Sequence, residues 1–394
     1  MIPVPQGWSF VSAKAGFKKP DKFDLGLAIS ETPATAAGVF TTNLVQAAPV
    51  ARCRELLSAG SPVRCVAVNS GQANACTGED GLADCRVAQE LAAGVAGCGL
   101  DEVLPASTGV IGPRLRLDRW ITACEAVAQG GGEPGPEAFA KAMMTTDTFP
   151  KLAWGEVAHD GRVVRVLGMA KGAGMISPDM ATLLGFVFTD ADVDAEWWAL
   201  MLKRAADASF NRVTIDGDTS TNDTLLALAN GASGVAVDTD DAKAALEAAV
   251  TEVCQALAYM IVQDAEGGTK VARISVSGAE DDAQADLAAR AVGNSPLVKT
   301  ALFGQDPNWG RIVAAVGRSG ARFDPDALTL AFGDITVYAK GRPMAEDMDA
   351  LLAPLMRRQE IDIRIALGKG PGTATLLASD LSREYVSINA DYRS

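Results

Sequence analysis

The chain has 394 residues, with 35 Lys or Arg against 49 Asp or Glu, a formal charge of −14 and a single histidine. A Ser-His-Asp or Cys-His nucleophile needs a histidine base and a zinc site commonly needs several His or Cys ligands, so His159 alone would have to serve. The acidic balance has no basic stripe, which argues against nucleic acid and anionic membranes and favours small, soluble substrates.

A chain of this length predicts two domains or one large layered domain. Cys53, Cys65, Cys76, Cys85, Cys98, Cys124 and Cys254 form no C-x-x-C pair, an odd count that fits reduced thiols better than a disulfide framework. No metal site is expected. The start, Met1 to Trp8, lacks a charged segment followed by an apolar one, and no run of 18 apolar residues occurs, so a cytoplasmic protein is expected.

In chain order, a first strand is predicted at 63–68, and the Gly- and Pro-rich stretch 130–136 reads as a flexible surface excursion. Residues 155–161 read as a hydrophilic turn that leaves His159 exposed, followed by strands at 163–167 and 182–188. A helix begins near Asp194 and carries Trp197, Trp198, Leu200, Met201 and Ala205, and a strand follows at 225–229.

The strongest helix spans 240–261. There Leu246, Val250, Val253, Leu257 and Ile261 make one apolar stripe, and Asp240 and Asp241 sit where a cap is wanted. Strands at 271–276, 334–338 and 361–367 complete an alternation typical of layered α/β or α+β architecture. The aromatic and apolar end, 385–392, reads as ordered.

The segment with the most chemical content is K-G-A-G-M-I-S-P-D-M-A-T-L-L at 171–184. It is not a phosphate loop: G-x-x-x-x-G-K-[ST] is absent, and Ser177 stands where G-x-G-x-x-G needs its last glycine. On residue type alone Thr182 is a β-branched strand opener, Lys171 and Glu266 are surface charges, S-T-G-V-I-G is a plain turn, and the tail is a surface strand.

This segment resembles the signature of the ornithine acetyltransferase family, the glutamate N-acetyltransferases of arginine biosynthesis. The likeness recurs along the chain: D-L-G-L-A-I-S at 24–30, A-A-G-V-F-T-T-N at 36–43, N-S-G-Q-A-N-A-C-T-G at 69–78, S-T-G-V-I-G at 107–112 and T-T-D-T-F-P-K at 145–151. It continues with D-G-D-T-S-T-N-D at 216–223, D-A-E-G-G-T-K at 264–270, D-P-N-W-G-R at 306–311 and Y-V-S-I-N-A-D-Y-R-S at 385–394.

The resemblance implies autocatalytic cleavage of the Ala181–Thr182 bond into an α chain, 1–181, and a β chain, 182–394, with Thr182 as nucleophile. A threonine hydroxyl is a weak nucleophile that needs a base. A freed α-amine, with a pKa of about 7.7 to 8.0, supplies one where histidine is lacking. The resemblance further implies an oxyanion hole made by the Thr108 side chain and the Gly109 backbone N–H, and substrate contacts at Thr145, Lys171, Thr182, Glu266, Asn389 and Ser394. Ala173 and Phe149 stand where relatives commonly carry Ser and Arg, and Ser394 keeps the hydroxyl of a common Thr.

The implied cycle is ping-pong: Thr182 takes acetyl from N2-acetyl-L-ornithine and passes it to glutamate, with no cofactor. Bifunctional relatives also use acetyl-CoA, and no segment here decides that. The implied fold is an α+β, layered α/β/β/α sandwich related to the β-peptidyl aminopeptidases, in a heterotetramer of two α and two β chains. The rival readings are a self-processing aminopeptidase of the related fold and an unprocessed metabolite-binding protein.

Overall fold

The computed structural model describes residues 2–18, 21–159, 161–177, 183–344 and 348–391. The chain divides into two compact units, Met1–Asn211 with Asp218–Ile261, and Arg212–Gly217 with Val262–Tyr392. Both are mixed α and β, and each is built on one sheet.

The strands of the first unit are β1 (Trp8–Ala13), β2 (Leu25–Phe40), β3 (Val63–Gln72), β4 (Val103–Val110), β5 (Glu133–Pro134), β6 (Lys151–His159), β7 (Arg162–Lys171) and β8 (Leu184–Thr189). After β9 (Val213–Thr214) of the second unit comes β10 (Thr224–Ala229) of the first. The sheet order is β4-β3-β2-β10-β8-β7-β6, with β1 pairing both β2 and β5.

β2 is long because it serves two sets of partners: Leu25–Ser30 pair with β1, and Thr35–Phe40 pair with β10. Exposed Glu31, Thr32 and Pro33 divide the two halves, and Pro33 has no N–H for the ladder. β8 and β10 are buried at every residue, which is why both read as unbroken apolar runs. Trp8, Phe10, Phe139, Phe186 and Phe188 pack on this sheet with ring centroids 4.8 to 6.4 Å apart.

The predicted helix at Asp194 runs Ala195–Asp207, and the Asp194 carboxylate accepts the Trp197 N–H. The long helix spans Asp240–Gln263 with its five stripe residues at most 3% exposed. Its cap differs from expectation: the Ala242 N–H donates to Thr239 Oγ1 at 3.2 Å, while Asp240 and Asp241 lie in the first turn. An 18-residue window here has a mean hydropathy of 1.4, long and apolar enough to cross a membrane, yet the stripe is core. Gly168 of β7 makes the room: a Cβ there would lie 2.4 Å from Val253 Cγ1 and 2.8 Å from Leu257 Cδ1.

Two expected loops are ordered elements. Within 130–136, Glu133 and Pro134 form β5 opposite Ser12 and Val11, so backbone pairing holds a stretch that composition marked as flexible. The turn expected at 155–161 shrinks to the tip of the β6–β7 hairpin: Gly155 to His159 are strand, His159 sits opposite Arg162, and the ring is half-buried rather than exposed.

A buried ion pair fixes the loop ends beside this hairpin. Asp147 Oδ1 accepts Lys151 Nζ at 2.7 Å and the Gly172 N–H at 2.8 Å, and Oδ2 accepts the Thr145 N–H at 3.0 Å. The Asp147 and Lys151 side chains are both 0% exposed. Burial alone would raise the Asp147 carboxyl, but Lys151, Lys171 and the donated N–H bonds hold it down at about 2.

The second unit holds β9, β11 (Val271–Ala279), β12 (Thr329–Phe332), β13 (Ile335–Ala339), β14 (Arg342–Pro343), β15 (Glu360–Ala366) and β16 (Gly372–Ser379), in the order β14-β13-β12-β15-β11-β16-β9. Ile274, Ile361, Ile363 and Leu376 of this sheet pack with Ala285, Ala288 and Val292 of the helix Asp282–Gly293. The tail is a helix, Arg383–Asp391, and not a strand; none of its residues is buried. The units divide the chain elsewhere than at the 181–182 bond: β7 and β8, on either side of it, are hydrogen-bonded neighbours.

Two outcomes follow from packing and charge. Gly168→Ala overpacks the long helix and should cost about 1 to 3 kcal/mol, read as a lower urea midpoint. Asp147→Asn leaves Lys151 buried without its counter-charge and should cost about 3 to 5 kcal/mol at neutral pH. Because the folded Asp147 value lies below the unfolded one, its contribution is present above about pH 4 and fades as pH falls toward 2, so wild type and variant should converge there in acid-unfolding curves.

Candidate functional site

Thr108 and Gly109 lie at the end of β4, where it runs parallel to β3 with Ser70 opposite Thr108 and Gly71 opposite Gly109. The register shifts at Gly71/Gln72, and Gly71 and Gly109 have φ of 110° and 127°, a region open to glycine. A Cβ on Gly109 would lie 2.4 Å from the Gly71 carbonyl carbon, so the S-T-G-V-I-G glycine is set by close backbone approach. Ser107 to Val110 of this segment are strand and not a plain turn, and Thr108 is 6% exposed.

The segment Ser220–Thr224 ties this end of the sheet to the start of β8. Asn222 Nδ2 donates to the carbonyls of Ala73 at 2.6 Å and Ser107 at 2.9 Å. Asp223 Oδ1 accepts the Leu183 N–H at 3.0 Å, and the Thr224 N–H donates to the Leu183 carbonyl at 3.0 Å. Leu183 is therefore held at both its backbone polar groups. Asp223 is fully buried, and desolvation pushes its carboxyl well above the usual carboxylate range, against the pull of the Leu183 N–H and of Lys171.

Lys171, the last residue of β7, is 4% exposed rather than a surface charge, and its Nζ donates to Thr145 Oγ1 at 3.4 Å. These two are brought together because Asp147 binds both the Thr145 N–H and the Gly172 N–H, on either side of the pair. A cavity of about 290 Å³ opens beside Thr145, lined also by Lys18, Asp21, Lys22, Lys141, Asp147 and Thr148. Lys18 Nζ donates to the Met144 carbonyl at 2.8 Å, and burial lowers its amine to about 8 despite Asp24 nearby. Three lysines and two carboxylates thus line this cavity, with Lys141 paired to Glu137. Phe149 lies under the Lys151 ammonium, 5.0 Å from ring centroid to Nζ, and Ala173 is 2% exposed.

Glu266 and Asn389 belong to the second unit, where Asn389 Nδ2 donates to Glu266 Oε2 at 2.7 Å. The D-A-E-G-G-T-K motif builds that contact. Gly267 has φ of 63°, and a Cβ there would lie 2.5 Å from the Tyr385 nitrogen, so only glycine lets the tail helix begin this close. Asp380 accepts the N–H groups of Thr269 and Lys270 from the same turn.

Ala181, Thr182 and Ser394 lie outside the described residues. Asp147, Asn222 and Asp223 were singled out in the sequence only as letters of T-T-D-T-F-P-K and D-G-D-T-S-T-N-D. Their signal was a carboxylate with a lysine four residues on, and an Asn-Asp pair just before a strand, neither of which declares a partner.

The ArgJ family pattern matches residues 9–394. The arginine biosynthesis bifunctional protein ArgJ of Nitratidesulfovibrio vulgaris is 53% identical over 394 residues, covering 100% of both chains. The protein of the same name from Geobacter sulfurreducens is 47% identical over 99% of each. Among solved structures, arginine biosynthesis bifunctional protein argJ from Bacillus halodurans is similar at 34% identity and a TM-score of 0.50, over 52% of this chain and 98% of the solved one. The chain belongs to the ArgJ family.

Proposed function

We propose that this chain is an N-acetyltransferase of arginine biosynthesis that moves acetyl from N2-acetyl-L-ornithine to L-glutamate through an acetyl-Thr182 intermediate. The observation that carries this reading is the family match across residues 9–394. The full-length relatives named as bifunctional arginine biosynthesis proteins favour it over the aminopeptidase alternative.

In the transfer, the Thr182 hydroxyl attacks the acetyl carbon of acetylornithine and its proton passes by way of the freed Thr182 amine to the departing ornithine nitrogen. Glutamate reverses the step: its amine attacks the acetyl ester and Thr182 regains its proton. Negative charge develops on the acetyl oxygen both times. Thr108 and Gly109 serve as the oxyanion donors, and the glycine conformation of Gly109, fixed against β3, supports a donor that needs no reorganisation. Thr145 and Lys171 take the substrate carboxylate, a role supported by their contact and by the burial of Lys171. Glu266, Asn389 and Ser394 are the remaining substrate contacts.

Cleavage at Ala181–Thr182 yields chains 1–181 and 182–394. Support comes from the Bacillus halodurans structure, whose chain is 98% covered by 52% of this one, the length expected of one such piece. Pairing of β7 with β8 and of β2 with β10 would hold the pieces together after cleavage. The assembled form is a heterotetramer of two α and two β chains in the cytoplasm. No cofactor takes part, and the word bifunctional in the relatives' names supports acetyl-CoA as a second acetyl donor.

Purified protein should turn over acetylornithine continuously only when glutamate is present, releasing at most about one ornithine per site without it, and it should run as two fragments on a denaturing gel. Thr182→Ala should run as one chain and show no transfer; fragments ending at Ala181 in that variant would overturn the mechanism. Thr108→Ala removes one oxyanion donor and should lower kcat about 10²- to 10³-fold with KM nearly unchanged.

A further inference from the structure

The motif D-G-D-T-S-T-N-D places at its end a carboxyl that the cycle above leaves unused. Asp223 is 0% exposed and keeps one oxygen on the Leu183 N–H. Its other oxygen, Oδ2, is buried and has no hydrogen-bond partner among the described residues. The nearby Thr41 side chain pulls the carboxyl down against burial, while the Thr41 hydroxyl donates to the Ser220 carbonyl at 2.6 Å. A buried polar oxygen without a partner costs about 1 to 3 kcal/mol, so its presence calls for an explanation.

Covalent connectivity narrows the choice. Between the Leu183 nitrogen that Asp223 holds and the Thr182 nitrogen stand only the carbonyl carbon and Cα of Thr182. We propose that Asp223 is the acid–base partner of the Thr182 nitrogen, with Oδ1 fixing the Leu183 peptide and Oδ2 exchanging a proton with the nitrogen that leaves Ala181. This rests on the reading of Thr182 as nucleophile.

The protonation state suits the role. Desolvation keeps the carboxyl neutral well above the ordinary range, and Lys171, the charged side chain acting on it, does not overcome that. In self-cleavage the bond from Thr182 Oγ to the Ala181 carbonyl carbon forms and the C–N bond breaks. Oδ2–H gives its proton to the leaving nitrogen and the carboxylate takes the one lost by Oγ, so the acid ends as it began. Water then splits the ester, its hydroxyl going to the Ala181 carbon and its hydrogen to Oγ.

Asp223→Asn tests this on the full chain, because the amide oxygen can still accept the Leu183 N–H while the proton carrier is gone. Expected are a melting temperature close to wild type, cleavage at Ala181–Thr182 slowed about 10²-fold or more by mass spectrometry, and loss of the wild-type dependence of cleavage on pH. Asp223→Glu should recover part of both. Wild-type cleavage rate and pH profile in a folded Asp223→Asn would overturn the proposal.

Should Asp223→Asn melt early, the wild-type profile decides: a cleavage rate that falls as a group titrating well above the carboxylate range loses its proton is required, and a flat profile overturns the proposal. Wild-type protein that never cleaves at 181–182 would instead overturn the Thr182 reading itself.

Discussion

The backbone of one residue, Leu183, organises the site. Its N–H is held by Asp223 and its carbonyl by Thr224, so the chain emerging from the proposed cleavage point is fixed before β8 begins. Because the same short segment places Asn222 on the carbonyls of Ala73 and Ser107, the start of β8 and the β3–β4 end are referred to one support. Catalysis by an N-terminal nucleophile asks for this: the reacting amine and hydroxyl sit on one residue, and their aim depends on what holds the next.

Two buried carboxyls near Lys171 show how environment divides roles between like groups. Asp147 has a lysine at 2.7 Å and two backbone N–H donors, which outweigh burial and keep it ionised. Asp223 has one N–H donor and an open oxygen, and burial prevails. The first is a structural anion that gathers Thr145, Lys151 and Gly172. The second is pushed toward its neutral form by burial, and the proton transfer proposed for it is the service that a chain with one histidine at a hairpin tip cannot obtain from imidazole.

Much of the strand and helix inventory was legible in the sequence where pattern and burial agree. The stripe of the helix Asp240–Gln263 and the apolar runs of β8 and β10 bury the residues that their spacing marks, and the helix expected near Asp194 begins there. The misread stretches were those whose order comes from a partner strand or neighbouring turn: β5 held by β1, the polar β6 held by β7, and a tail helix with no buried face, anchored through Glu266 and Gly267. Composition cannot report such support, because it belongs to residues far away in the chain.

By itself the sequence determined the family, through motifs spread over nearly the whole length, and with it came the proposal of an N-terminal threonine in place of an imidazole-based nucleophile. It also fixed where glycine must stand, although Gly71, Gly109, Gly168 and Gly267 are explained only by the atoms that approach them. Tertiary structure alone decided that Lys171 is buried against Thr145, that Asp147 is held as an anion, and that Asp223 carries an open oxygen beside the residue after Thr182. The reason is physical: a side chain's charge state and partners depend on desolvation and on distances between residues far apart in sequence, and neither quantity is written in the order of the letters.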